Sequence, residues 1–264
     1  MPESRTGARV LLVVATLGRR PAFLRQSLES IQNQAVAVDI VMVAPLDAPG
    51  IEETAREFGA ELLPDPGSLP LAINVGMEAK SARHEYVNWL NDDDLLQPGS
   101  LAATVAALDH NAVASVAYGA CSYINESGEE LWLSKAGPWA TRVLSWGPDL
   151  IPQPGMLIRA SAWAQVGGLD PSFDLAFDLD LLLRLKKIGP LVDTGVTVSS
   201  FRWHADSLTV DDRAKNITES ERAKRAALSA SARKVAWLWE APVRVATRFA
   251  AREVQRRARA INSR

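Results

Sequence analysis

The stretch "YVNWLNDDDLLQPGSL", residues 86–101, decides how the chain is read. An apolar run suited to a buried strand passes directly into three adjacent carboxylates, Asp92, Asp93 and Asp94. Like charges side by side repel, and nothing in packing rewards them. Pro98 and Gly99 follow, marking a turn or a helix start. Carboxylates beyond a strand end suit a hard divalent cation, Mg²⁺ or Mn²⁺, which can bridge the phosphates of a nucleotide. A plain solvated turn is the alternative, so the surrounding pattern has to decide.

Working outward, "RVLLVVATL" (9–17) is a continuous Val/Leu run, as expected of a strand buried on both faces. A helical spacing follows in 20–34, with Phe23, Leu24, Leu28 and Ile31 on one side. Strands are expected at 38–44 and 60–64, and helices at 50–59 and 69–82. Strands alternating with helices predict a mostly parallel, twisted α/β sheet flanked by helices. In such sheets ligands bind beyond the carboxyl ends of the strands, where the three aspartates lie.

At 264 residues, with 47% hydrophobic residues, the chain is long enough for a sizeable core. The single cysteine, Cys121, excludes an internal disulfide and a zinc cluster, and it points to a reducing compartment. The first twenty residues read as a strand rather than a signal peptide, and no run is long enough to cross a bilayer. Charge is unevenly spread. Residues 1–212 carry 15 Lys and Arg against 27 Asp and Glu, whereas residues 213–264 carry 14 against 4. Two parts are therefore expected, an acidic domain over 1–212 and a basic helical tail over 213–264.

Five pieces in order give the chain its resemblance, over residues 9–209, to the family 2 glycosyltransferases of the GT-A fold. They are "VVATLGRRPAFLRQSLESIQNQ", "DPGSLPLAINVG", "WLNDDDLLQPGSL", "GMLIRASAWAQVGGLDPSFDLAFDLDLLLRLKKIG" and "FRWHADSLT". The last is similar to a segment of a colanic-acid-type subgroup. The resemblance implies transfer of a sugar, with inversion, from a UDP-, GDP- or dTDP-sugar to a hydroxyl of a glycan or lipid-linked acceptor.

The resemblance also implies roles. Thr16, Asp65 and Asn74 fall on the donor side, although Asn74 also suits a structural place at a helix start. Counting back from Pro98, the metal motif falls on Asn91, Asp92 and Asp93, while the literal Asp-x-Asp is Asp92 and Asp94. Asp93 or Asp94 is expected to hold the metal while a neighbour such as Asp92 contacts ribose. His204 is expected near the metal or the diphosphate, and Arg202 on phosphate. The family's acidic pair after the second strand is missing; Ala44 and Pro45 stand there, and Asp47 is either a shifted substitute or a turn residue.

On the acceptor side a carboxylate must take the proton of the attacking hydroxyl. Family register puts this base on Asp178, with Phe177 in place of the preceding acid; a helix cap is the plain alternative. Asp180, about 200° further round the helix, is expected to hold Arg184 or backbone. Trp132, Trp139 and Trp146 recur every seven residues, either as a core stripe or as a lid over the acceptor.

In the tail, Arg244, Arg248, Arg252 and Arg256 share one stripe, and Trp237 and Trp239 precede it. That pattern suits the anionic inner face of a membrane, or a helix docked on the acidic body or on a second copy of the chain. The acidic body argues against nucleic acid. A cytoplasmic or peripheral membrane enzyme is expected. Its rivals are a sugar-nucleotide pyrophosphorylase and a silent nucleotide-sugar-binding protein, the latter kept open by Asn91 and Phe177.

Overall fold

The computed structural model describes residues 7–135, 137–147, 149–203, 213–235 and 237–238. Strand β1 is Val10–Ala15, and its alternate residues pack into two different cores. Leu11 and Val13 join one cluster, and Val10, Leu12 and Val14 the other. This period of two on a doubly covered strand is why the run is apolar throughout.

Parallel pairing builds the first half of the sheet. β2 (Val38–Ala44) and β4 (Tyr86–Asn91) flank β1, and β3 (Glu61–Pro64) pairs with β2. The connecting helices are α1 (Pro21–Gln32), α2 (Ile51–Phe58) and α3 (Leu69–Glu78). α1 opens on Pro21, where a missing N–H costs nothing. α3 lies close on the sheet because Gly76 has no side chain; a Cβ there would stand 2.5 Å from Val13 Cγ1.

Beyond β4 the sheet departs from the mostly parallel expectation. β8 (Leu157–Arg159) pairs antiparallel with both β4 and β6 (Val116–Ile124), and β7 (Glu130–Ser134) pairs antiparallel with β6. β9 (Leu191–Arg202) runs parallel to β6, and the short β5 (Leu95–Leu96) pairs antiparallel with β9. The sheet order is β3-β2-β1-β4-β8-β6-β9-β5. The parallel half is legible as βαβ units, whereas the mixed half joins strands far apart in sequence.

The remaining described helices are α4 (Ser100–His110), α5 (Ala140–Val143), α6 (Ala160–Val166), α7 (Phe177–Ile188), α8 (Arg213–Ala227) and α9 (Ala230–Val235). α8 does not stand apart as a tail. Ala223 is buried in the core cluster that includes Phe173, Phe177 and Leu181. Residues 213–227 therefore belong to the folded body, and the boundary expected at 212 falls ahead of a packed helix. No described helix is long and apolar enough to cross a membrane. The arginine stripe 244–256 and Trp239 lie outside the described residues.

Candidate active site

At the carboxyl ends of β1, β2 and β4 a cleft of about 1180 Å³ opens. Thr16, Arg20, Asp65, Asn91, Asp92 and Asp93 line one wall; Trp146, Asp149, Asp178, Ser220 and Lys224 lie on the other. Strand register places the first set. Ala15 pairs with Asn91, so Thr16 and Asp92 emerge side by side. Thr16 Oγ1 donates to Asp92 Oδ2 at 2.5 Å. Burial pushes the Asp92 carboxyl above its ordinary value, against the pull of that hydrogen bond. Asp93 faces Arg20, with carboxylate and guanidinium 3.5 Å apart.

Asp94, named with Asp93 as a metal ligand from the sequence, is placed elsewhere. It is fully buried and is not among the residues of the cleft. Its oxygens accept Arg202 N–H at 3.0 Å and Asn91 Nδ2–H at 2.9 Å. Burial holds its carboxyl well above the ordinary range. The triplet thus divides its labour, with Asp92 and Asp93 toward the cleft and Asp94 inward.

Arg202 is corrected from a phosphate ligand to a strut. It is 1% exposed. Nε donates to Asp93 O, Nη1 to Asn125 O and Glu126 O, and Nη2 to Gln26 Oε1, at 2.7–3.2 Å. Phe23 lies under the guanidinium at 4.4 Å. The reason is burial: in a dry site the fork is satisfied by carbonyls, leaving it turned away from the cleft. His204 and Ser207 lie outside the described residues.

Asn74, too, lies outside the cleft lining. Its Nδ2 donates to Leu169 O and its Oδ1 accepts Leu169 N–H, both at 2.9 Å. This two-way bond fastens α3 to the Gly167-Gly168 turn, where a Cβ on Gly168 would meet Asn74 Oδ1 at 2.7 Å. Asp65 does line the cleft, with Oδ1 accepting Gly67 N–H at 3.0 Å. Asp47 sits exposed in the turn after β2, outside the cleft lining.

Across the cleft, Asp178 occupies the first turn of α7, half-buried, with Oδ1 accepting Leu179 N–H at 2.8 Å. Burial raises its carboxyl to about 6. Asp149 is pushed up to about 7, by burial first and then by the charge of Asp178. Asp180 behaves as expected of a structural acid: it is 7% exposed, and Arg184 Nε donates to it at 2.8 Å. Cys121 is fully buried, its thiol raised to about 12 by burial.

The three tryptophans form no core stripe. Trp132 stacks on Tyr123 at 4.4 Å, while Trp139 and Trp146 are 67% and 49% exposed. Trp146 reaches the cleft; Trp139 sits under Arg142.

Several cleft groups were not singled out from the sequence: Arg20, Asp149 and Lys224. Arg20 follows the strand–loop signal directly, and adjacency to Thr16 was the available cue. Asp149 and Lys224 had none, since their place depends on tertiary packing. Lys224 Nζ donates to Gly147 O at 2.6 Å, joining α8 to the segment that carries Trp146 and Asp149.

Comparison with known proteins gives a consistent picture. Residues 12–159 match the family model described as Glycosyl transferase family 2. The O-antigen biosynthesis protein RfbC of Myxococcus xanthus is 31% identical over 202 residues, covering 66% of this chain and 15% of that protein. The uncharacterized protein y4gI of Sinorhizobium fredii is 28% identical over 192 residues, covering 68% and 20%. The chain thus spans a fifth or less of the length of these curated relatives. Among solved structures, S. aureus TarS 1–349 in complex with UDP-GlcNAc aligns with a TM-score of 0.65 and 12% identity, covering 85% of this chain and 69% of that one. At that identity the likeness concerns the fold.

Proposed function

The chain belongs to the family 2 glycosyltransferases and has their GT-A fold, and on that premise we propose that it is an inverting enzyme. It moves a sugar from a nucleoside diphosphate donor to a hydroxyl of a glycan or lipid-linked acceptor. One observation carries this reading: Asp92 and Asp93, just past the end of β4, line the same cleft as Asp178 in the first turn of α7. Inversion requires the acceptor oxygen to attack the anomeric carbon from the side opposite the leaving diphosphate. As that bond forms, the bond from carbon to diphosphate oxygen breaks, and Asp178 takes the hydroxyl proton. A carboxylate raised to about 6 is ionised at neutral pH and still basic enough for that transfer.

TarS bound to UDP-GlcNAc and to UDP supports a UDP-sugar as the donor class. The likeness to an O-antigen biosynthesis protein supports a surface polysaccharide or its precursor as acceptor. Thr16 orients Asp92 for the donor, and Arg20 supplies a guanidinium suited to phosphate. Among the described residues, no three His, Cys, Asp or Glu gather as a metal cage. Two oxygen-bearing acids at the cleft nevertheless fit Mg²⁺ or Mn²⁺, which take one or two carboxylates beside substrate phosphates. Asp92 and Asp93 would hold the ion, which when bound offsets charge on the departing diphosphate. Exposed Trp237 and Leu238 support a membrane-facing role for the basic segment that follows.

Hydrolysis of UDP-GlcNAc, GDP- and dTDP-sugars, with and without Mn²⁺, tests the reading. Release of UDP by the native chain and its loss in Asp178→Asn support it. A native chain that binds these donors and hydrolyses none is instead a nucleotide-sugar-binding protein.

A further inference from the structure

Helix α7 begins without a cap of its own. Its N-cap position is Ala176, which has no side chain able to accept the free N–H groups of the first turn. The loop immediately ahead of that turn is instead held from 43 residues further along the chain. Glu219 of α8, 8% exposed, takes Ala176 N–H at 3.1 Å and Leu175 N–H at 2.8 Å on Oε2. Asp174 N–H adds a third contact at 3.1 Å. A carboxylate receiving several amide hydrogens is a charge-assisted clamp, and at a helix N-terminus it also meets the positive end of the dipole.

The surroundings make the clamp specific. Lys215 pairs with Asp174, Arg222 donates to Ser172 O at 2.6 Å, and the Arg222 guanidinium lies 3.8 Å over the ring of Phe173. Every one of these ties runs from α8 to segment 172–176, which leads directly into Asp178. Asp178 itself is flanked in the cleft by Asp149, which faces Lys224 of the same helix.

We propose that Glu219 is a positioning residue for the catalytic carboxylate: it fixes the loop 174–176 and with it the first turn of α7, so that Asp178 points at the reacting hydroxyl. The assignment rests on the reading of Asp178 as the base. Misplacement of a reacting group by about 1 Å costs roughly 10²-fold in rate.

The test uses the full chain with Glu219→Ala and the isosteric Glu219→Gln, which keeps one acceptor oxygen if the alanine variant folds poorly. Three readouts are taken on the folded fraction. Amide hydrogen exchange at Leu175 and Ala176 is expected to quicken about tenfold or more in Glu219→Ala, and less in Glu219→Gln. The carbon-detected NMR titration of Asp178, whose carboxyl burial raises to about 6 in the native chain, is expected to shift. Hydrolysis of UDP-GlcNAc is expected to fall roughly 10²-fold while UDP affinity stays within about twofold. Faster exchange with an unmoved Asp178 titration and unchanged hydrolysis makes Glu219 merely structural and overturns the proposal. Lost hydrolysis without faster exchange overturns it too, because Glu219 then acts on substrate directly. If the native chain hydrolyses no nucleotide sugar, the enzymatic reading fails, and exchange and titration alone still decide whether Glu219 places Asp178.

Discussion

The two walls of the cleft are built by different means. Register places the wall at the ends of β1, β2 and β4: once Ala15 pairs with Val43 and Asn91, the positions of Thr16 and Asp92 follow from the sheet. The opposite wall has little sheet beneath it. Besides buried core residues such as Leu144, Ile151 and Phe173, segments 137–147, 149–155 and 169–178 are tied by side chains reaching backbone: Lys186 to Thr141 O, Lys224 to Gly147 O, Glu219 to residues 174–176, and Asn74 to Leu169. On the first wall a cleft-facing side chain can change without moving its neighbours. On the second, losing one tie should loosen the segment it holds.

The sharpest test of that contrast is Asp178→Asn. Hydrolysis of UDP-GlcNAc should fall roughly 10²–10⁴-fold, the usual worth of a general base, while calorimetry finds UDP affinity unchanged. An equal loss of UDP affinity would put Asp178 on the donor wall and break the comparison.

The aspartate triplet tests the first wall from within. Asp93→Ala should abolish the Mn²⁺-dependent part of UDP binding and leave the melting temperature alone. Asp94→Ala should do the reverse for stability, at a cost of about 1–3 kcal/mol, by stranding the buried Arg202 N–H and the Asn91 amide. Denaturant titration separates the two. An Asp94→Ala chain as stable as the native one would return Asp94 to the list of ligands.

Protons probe the second wall. Because the base must be ionised, hydrolysis should climb with pH through about 6, the raised value of Asp178. Asp149 is raised as well, to about 7. Carboxyls raised above the ordinary value near ~4 bind more protons in the folded chain than in the unfolded one. They stabilise the fold at low pH, and that contribution is lost as pH rises from about 4 to 7. Asp149 is exposed at the cleft, so solvent screening makes the effect small: Asp149→Asn should melt slightly higher than the native chain at pH 8 and show no gain at pH 4. Scanning calorimetry at the two values checks the sign.

The smallest expected effect belongs to the residues past 238. Each Lys or Arg near an anionic surface is worth about 1 kcal/mol and is screened within ~8 Å at physiological salt. The full chain should sediment with anionic vesicles at low salt, and a chain ending at 238 should not, with hydrolysis equal in both. Ending the chain at 212 instead removes Glu219 and Lys224 and should damage the part of the cleft that carries Asp178.

Sequence reading served the two walls unequally for the same physical reason. "RVLLVVATL" and "YVNWLNDDD" are local patterns, and a buried parallel strand with its carboxyl-end residues can be read from them directly. Asp178 was reachable through the helix that carries it and through its resemblance to a family motif. Glu219 and Lys224 sit in the basic segment, for which docking on the acidic body is one alternative, and only the docked structure reveals that the buried Glu219 faces three amides. Residue type misplaces Arg202 as a phosphate contact, and leaves Asn74 open between a donor contact and a structural place, because it shows hydrogen-bonding capacity and conceals direction. The same guanidinium that suits phosphate suits three carbonyls when buried.

Arg202 also has a consequence for the order in which the molecule assembles. Its guanidinium joins Gln26, Asp93 and Glu126, the farthest of them 176 residues away, and its N–H seats Asp94 from 108 residues away. β1 to β4 can associate through short crossovers, whereas contacts of such sequence separation close large loops and form late. Asp93 and Asp94, although early in the chain, thus lack their strut until β9 arrives. In a stopped-flow refolding experiment, recovery of UDP binding should lag the far-ultraviolet signal and coincide with the slowest phase. That outcome would make competence to hold nucleotide wait on the pairing of β9, and a lag-free recovery of UDP binding would remove Arg202 from the site's assembly.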